Sequence, residues 1–496
     1  MVSIKRALGV SLASRIWGAA LSILVVPVYV RILGIESYGL IGLFASLQVM
    51  ISFLDLGLGT TLIREFGRLA GEPDGRQEMQ DAARSCEAVY LVVGFLIGVS
   101  LALLGPWLLD HWLTLDQLNR DEAGRALVWG AIALAIQWPA TLYGSGLEGL
   151  QRQTSLGVLT ASATTARVLL TLSAVSFVSP SIELFFAANA LGACGHTLAG
   201  HLVFWRALGP CQRPARILHS FLARSRAFAG TVTGITVSSI ILTQLDKVIL
   251  SKVLTLPDFG VYALTSALAG GLYVLISPVF GILYPHLCSL TAKGNTVEIA
   301  KSYHIATQFL AFLLIPAVAV VAFFSGEILF VWTGNADICE RAHWPLIFLF
   351  SGNAINGIMN APYALQLAAG WTGLSLLLNV AAVVVLAPVT YFLALAYGPA
   401  GGAAAWLLLN ICLFLTAPQL MHERLLRGEM FKWYIHDIGR AVMAAGAAAA
   451  LLHLALPVMT SRPMLGLAVV AAWLAALGAT GLALPAIRIR LQGLYR

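Results

Sequence analysis

One arginine stands at the centre of an otherwise apolar run, 156–178, in the stripe Thr160, Thr164, Arg167, Thr171. Spacings of four, three and four set these side chains on one face of a helix. Even a low figure for a guanidinium at mid-bilayer is about 2.5–3.5 kcal/mol, so Arg167 must face a protein interior or an aqueous cavity. There it suits an anion on a path across the membrane, or a buried carboxylate. The same spacing recurs in Ser11, Arg15, Gly18, Ser22. Arg15 lies about 9 Å from the cytoplasmic end of its run, so it reaches either a cavity or the membrane surface.

A third stripe is Thr236, Ser239, Thr243, Asp246, with Gln244 and Lys247 on the adjacent face. Neighbours in a helix cannot face one way, so Asp246 and Lys247 each need their own partner, in a transport role or a structural one. Asn353, Asn356 and Asn360 form an amide stripe. Amides both donate and accept, which suits hydroxyl-rich ligands and equally suits bonds between helices. His196 and His201 lie mid-run, where a bond to a neighbouring helix is expected ahead of proton coupling.

The stretch "SFLDLGLGTTLIREFGRLAG" (Ser52–Gly71) places Asp55 near Arg64 in sequence. On one helix the nine intervening steps put them on opposite faces, roughly 13 Å apart along the axis. Asp55 then joins Gln48, Ser52 and Gly59 on an inward stripe and could pair with Arg15. Gly57 and Gly59 permit a bend or a close approach. Arg64, beside Arg68, reads as an anchor where the span meets the cytoplasm.

The elements that must hold these residues are membrane helices. Of 496 residues, 59% are hydrophobic and 11% charged, against about 25% charged in soluble domains, and mean hydropathy is +0.85. Fourteen apolar runs recur, at about 9–33, 39–63, 87–109, 125–144, 156–178, 183–205, 227–250, 258–284, 304–331, 343–366, 373–395, 400–421, 438–457 and 464–486; about 20 residues cross a bilayer. No polar stretch is long enough for a soluble catalytic domain. With the N-terminus inside, 21 of the 30 Lys and Arg fall in inward segments and 6 in outward ones. This puts both termini in the cytoplasm and assigns the net charge of +7 to topology and anionic lipid, not nucleic acid. The first run contains Arg15 and lacks a cleavage site, so it reads as a retained helix. The six cysteines show no C-x-x-C pair, and neither disulfides nor a metal are expected. "GSGLEG" (Gly144–Gly149) matches a nucleotide-loop pattern but opens no βαβ unit and reads as a loop. Prolines 27, 139, 278, 316 and 388 lie within runs, where they kink helices.

"RILGIESYGLIGLFASL" (Arg31–Leu47) aligns without gaps on "KVLTLPDFGVYALTSAL" (Lys252–Leu268), pairing Tyr38 with Phe259 and Gly39 with Gly260. Two parallel six-span halves follow, with a substrate path at their interface. The organisation expected is an N-lobe over 1–205, a basic cytoplasmic linker over 206–226, a C-lobe over 227–421, and two further helices with a tail over 422–496.

Three features, Y-G before the second span, D-L-G-L-G-x-x-L-x-R-E (Asp55–Glu65), and D-K-x-I-L-S-K with F-G-x-Y (Asp246–Tyr262), carry a resemblance. The chain resembles the polysaccharide-transporter or Wzx-type flippases of the multidrug/oligosaccharidyl-lipid/polysaccharide exporter superfamily. The resemblance implies an all-α polytopic transporter, not an enzyme, in a bacterial inner membrane. It would move an undecaprenyl-pyrophosphate-linked oligosaccharide (an O-antigen, capsule or exopolysaccharide unit) by alternating access, coupled to an ion gradient. Arg15, Arg167 and Lys247 then supply the cationic cavity, the three asparagines contact sugar, and Asp55, Arg64 and Asp246 serve coupling or gating. Expected partners are the lipid-linked glycan, membrane lipids, a glycan polymerase and glycosyltransferases; no cofactor is expected. The alternatives are a multidrug or cation antiporter, which wants an acidic cavity, and lipid II transport within the same superfamily.

Overall fold

Inside a bilayer the backbone finds no water, so an apolar run must satisfy its own N–H and C=O groups, and a helix does this within one segment. The computed structural model describes residues 2–55, 57–72, 75–210, 213–218, 240–456 and 461–493, and each apolar run, where it is described, is helical over most of its length. Among the described residues there is no strand, and nine helices are long and apolar enough to cross a membrane. Two of them, Gly9–Ile51 and Leu377–Leu425, are double-length, bent at Gly34 and Gly398 where φ turns positive. The chain is an all-α, polytopic membrane protein. Large apolar side chains stand exposed along the spans, Leu103, Phe95, Val384 and Leu454 among them, as helices facing lipid require.

Two compact units divide the chain, Met1–Gly260 and Val261–Arg496. The first holds α1 (Val2–Ile51), a 3₁₀ turn (Ser52–Asp55), α2 (Leu58–Leu69), α3 (Gly75–His111), α4 (Arg120–Gly149), α5 (Gln153–Ser173), α6 (Ile182–Leu208), α7 (240–253) and the start of α8 (Leu256–Gly270). Its centre is α4, packed on α6 and α3, while α5 lies along α1. Phe66, Leu142, Leu147 and Phe204 are fully enclosed there. The aligned glycines meet: a Cβ on Gly39 would stand 3.2 Å from the Gly260 nitrogen, and a Cβ on Gly260 3.2 Å from the Gly39 nitrogen. Neither position admits a side chain, which accounts for glycine at both.

The second unit continues with α9 (Tyr273–Ala292), α10 (Thr296–Thr333), α11 (Ala336–Ile358), α12 (Asn360–Ala368), α13 (Thr372–Leu425), a π-helical segment (Lys432–Gly439), α14 (Arg440–Ala455), α15 (Arg462–Ala483) and α16 (Pro485–Gly493). Here α10 is central, against α11, α14 and α15. Ala441, Ala445 and Ala449 on α14, with Ala468, Ala472 and Ala476 on α15, are buried. Small residues every fourth position let helices approach closely where lipid removes any hydrophobic drive to associate. The π segment is bonded to α10: Trp433 Nε1 donates to Thr307 Oγ1 at 3.1 Å, and Asp437 accepts from Gln308 Nε2 at 2.8 Å and from His304. Just before it Glu429 lies 3.2 Å from His304 Nε2 and 2.9 Å from Lys432 Nζ. That Lys432 bond holds the Glu429 carboxyl below its ordinary range.

Breaks inside apolar runs are where the structure departs from sequence expectation. The run 39–63 is not one helix: α1 ends at Ile51, and α2 starts after Gly57, whose φ of 73° only glycine adopts cheaply. The run 258–284 breaks between Gly270 and Tyr273, and 343–366 breaks at Met359. Conversely, α3 begins at Gly75, well before the run at 87, because polar residues of its first turns are bonded. Asp81 receives both Arg213 Nη1 (3.1 Å) and Nη2 (2.5 Å) and the Arg216 N–H (2.8 Å), and Ser85 receives the Leu218 N–H at 2.8 Å. Part of the basic segment 206–226 is thereby docked on α3; its residues 211–212 and 219–226, like Thr236 and Ser239 of the third stripe, lie outside the described residues.

Candidate functional site

Arg167 is fourteen residues into α5, about 21 Å along its axis at 1.5 Å per residue, so it is deep in the span. Its stem packs over Gly192 of α6, where a Cβ would stand 3.1 Å from the Arg167 Cγ. Its Nη1 donates to Gln137 Oε1 of α4 at 2.9 Å. The Nε is buried and has no hydrogen-bond partner among the described residues. At this depth the guanidinium has one neutral side-chain acceptor and, among the described residues, no carboxylate bonded to it, which leaves N–H donors in reserve. Of the rest of its stripe, Thr171 is engaged locally: its Oγ1 donates to the Arg167 carbonyl at 2.9 Å and bonds the Tyr29 hydroxyl.

Arg15 is exposed on α1. It is not the partner of Asp55, which receives the Tyr90 hydroxyl and the Gly59 N–H, the latter at 3.3 Å. The stripe Gln48, Ser52, Asp55, Gly59 does not exist as one face, because the 3₁₀ turn and Gly57 interrupt it. The same break removes the single-helix geometry relating Asp55 to Arg64. Arg64 is exposed on α2, one turn from Arg68, which pairs with Glu65 at 2.9 Å and Glu72 at 3.1 Å. The glycines do serve a bend and a close approach: a Cβ on Gly59 would stand 2.6 Å from Ser145 Oγ.

Asp246 and Lys247, adjacent in the helix, also reach each other. The long lysine stem folds back, bringing Nζ to 3.5 Å from Asp246 Oδ1 and 3.1 Å from the Thr243 carbonyl. In the second unit, Asn353 accepts from Trp406 Nε1 at 2.9 Å. Asn356 donates to Asn410 at 3.2 Å and accepts from the Tyr273 hydroxyl at 3.3 Å. Asn360, past the break, donates to the Asn356 carbonyl at 3.1 Å. These amides tie α9, α11, α12 and α13 together.

Sequence reasoning missed two groups. One is Glu87 of α3, which is buried and accepts from Arg84 at 2.6 Å, Tyr143 at 2.8 Å and Trp205 at 3.2 Å, with His201 Nδ1 at 3.0 Å. This cluster clamps α3, α4 and α6. The other is a set of amides, Gln48, Gln137 and Asn189, around a cavity of about 100 Å³ between α1, α4 and α6. Gln48 stood in the stripe with Asp55, but Gln137 and Asn189 belong to none, and the available signal for those two was a count of every amide within an apolar run.

A family model described as "Polysaccharide biosynthesis protein" matches residues 4–291. No curated protein matches the sequence. Among solved structures, the chain is similar to "Lipid II flippase MurJ, inward closed conformation", with a TM-score of 0.71, 13% identity and 100% of each chain covered. It is also similar to an inward-facing MATE-family multidrug resistance transporter of the MOP superfamily, with a TM-score of 0.64 and 14% identity, covering 82% of this chain and 95% of that one. A third is the MATE multidrug transporter DinF-BH in complex with R6G, with a TM-score of 0.63 and 15% identity, covering 86% and 96%. At these identities the likeness establishes the fold alone, one shared with these transporters.

Proposed function

The chain belongs to the polysaccharide biosynthesis protein family, and from that premise we propose that it is a flippase for polyprenyl-pyrophosphate-linked oligosaccharides. The observation that carries the reading is Arg167: a guanidinium deep in a membrane span, held by the neutral Gln137, with a buried Nε that has no partner among the described residues. Pyrophosphate supplies the acceptors this group lacks, in the forked geometry that arginine matches and lysine does not. Arg15, exposed on α1, adds a second cation nearer the cytoplasmic surface. The lipid tail stays in the bilayer while the head group crosses, by alternating access coupled to an ion gradient, in a bacterial inner membrane with both termini cytoplasmic. Its working partners are the glycosyltransferases that build the unit and the polymerase that consumes it. Cationic drugs suit the site less, because Asp55 and Asp246 are engaged by Tyr90 and Lys247.

Arg167→Ala tests this in cells lacking their own copy. Surface-glycan output is lost while protein level and membrane insertion stay normal, and Arg167→Lys restores a fraction of it. Undiminished glycan output from Arg167→Ala would remove the foundation of the reading.

A further inference from the structure

Polar side chains inside a membrane bundle are normally satisfied by a neighbour, since lipid offers no substitute. The amide stripe of the second unit follows that rule, with Asn353, Asn356 and Asn360 all bonded within the protein. A second set of amides, in the first unit, is largely unbonded: Gln48, which is exposed, with the half-buried Gln137 and Asn189. Gln48 of α1, Gln137 of α4 and Asn189 of α6 line one cavity of about 100 Å³, room for about seven waters at roughly 15 Å³ each. Among the described residues the only side-chain bond made by the three is from Arg167 Nη1 to Gln137 Oε1, at 2.9 Å. The Gln137 NH₂ and both amide groups of Gln48 and Asn189 have no protein partner there. The rest of the lining is apolar or aromatic, including Phe44 and Phe186, whose ring centroids are 4.6 Å apart.

We propose that this cavity binds a sugar ring of the translocated head group. Three amides offer paired donors and acceptors at no cost in charge, as a ring of hydroxyls requires, and the tilted Phe44–Phe186 pair gives its C–H face an apolar wall. Gln137 is the joint: one end accepts from the anion-binding guanidinium and the other faces the cavity. A sugar attached directly to the pyrophosphate therefore enters the cavity when the pyrophosphate reaches Arg167. The inference rests on the flippase reading above and extends it from the anion to the sugar nearest the anion.

The test uses the full chain in lipid nanodiscs and two probes, undecaprenyl pyrophosphate and the same lipid carrying one N-acetylglucosamine. The parent protein is expected to bind the sugar-bearing lipid about tenfold more tightly, the worth of one or two well-made hydrogen bonds. Asn189→Leu and Gln48→Met are expected to erase that preference while leaving the affinity for the sugarless lipid unchanged. Both remove amides that hold no other helix, so each variant keeps its fold, read as an unshifted thermal transition. Equal binding of the two lipids by the parent, or an equal loss for both lipids in the variants, overturns the sugar site and leaves the flippase reading standing. Failure of the parent to bind even the sugarless pyrophosphate lipid overturns both.

Discussion

Replacing Gln137 by leucine removes the acceptor of Arg167 Nη1, a bond of 2.9 Å, without altering charge and with little change in volume. The Arg167 Nε already has no partner among the described residues, so in the variant the guanidinium loses its side-chain acceptor. Hydrogen bonds to charged groups contribute about 1.5–3 kcal/mol, which corresponds to roughly tenfold to a hundredfold in an equilibrium constant. Gln137→Leu is therefore expected to lower translocation by at least about tenfold, because the freed arginine swings out of the orientation that meets the pyrophosphate. The assay is uptake of a lipid-linked glycan into proteoliposomes, compared among wild type, Gln137→Leu, Arg167→Ala and the double variant. If Gln137 works through Arg167, the double variant transports no less than Arg167→Ala alone. Additive losses would refute the coupling, and wild-type rates in Gln137→Leu would refute the idea that the arginine needs positioning at all.

Two other outcomes follow from contacts at the helix ends. Asp81→Asn weakens the bidentate grip on Arg213 and the bond from the Arg216 N–H, so trypsin is expected to cut after Arg216 at least about tenfold faster in detergent, given the strength of charge-assisted bonds; an unchanged digestion pattern would mean the segment is held by other contacts. Glu429, with its carboxyl held down by Lys432, contributes stability that is fully present above the ordinary glutamate value of about 4.3 and is lost as pH falls through the depressed folded value. Glu429→Gln should thus unfold at a lower temperature at neutral pH and lose less on acidification, and parallel pH curves for the two proteins would contradict this.

The all-helical, many-span character was legible in the sequence because a bilayer imposes a one-dimensional rule: about 20 apolar residues per crossing, whatever the neighbours do. The depth of Arg167 was legible for the same reason, since position along a span is arithmetic on residue number. The break at Ser52–Gly57 was less so. The segment is apolar enough to continue as helix, and what ends it is the positive φ of Gly57 together with the bond between Tyr90 and Asp55 from thirty-five residues away. The pairing of Lys247 with Asp246 escaped because a periodicity argument tracks Cβ directions, while a four-carbon stem reaches around them.

The amides separate the two kinds of knowledge most sharply. Asn353, Asn356 and Asn360 make a regular stripe, and Gln48, Gln137 and Asn189 make none, so sequence periodicity points to the first set for sugar. Side-chain chemistry is the same in both; the difference is how many hydrogen-bond partners the neighbouring helices supply. Trp406, Asn410 and Tyr273 occupy the regular set, whereas the irregular set lines a cavity between α1, α4 and α6. Composition and run length by themselves determined that this chain is a many-span helical bundle with a cation buried in one span. Which polar groups are spent on holding helices together, and which stay available to a ligand, only the tertiary structure decided, because hydrogen-bond saturation is a property of neighbours brought from distant parts of the chain.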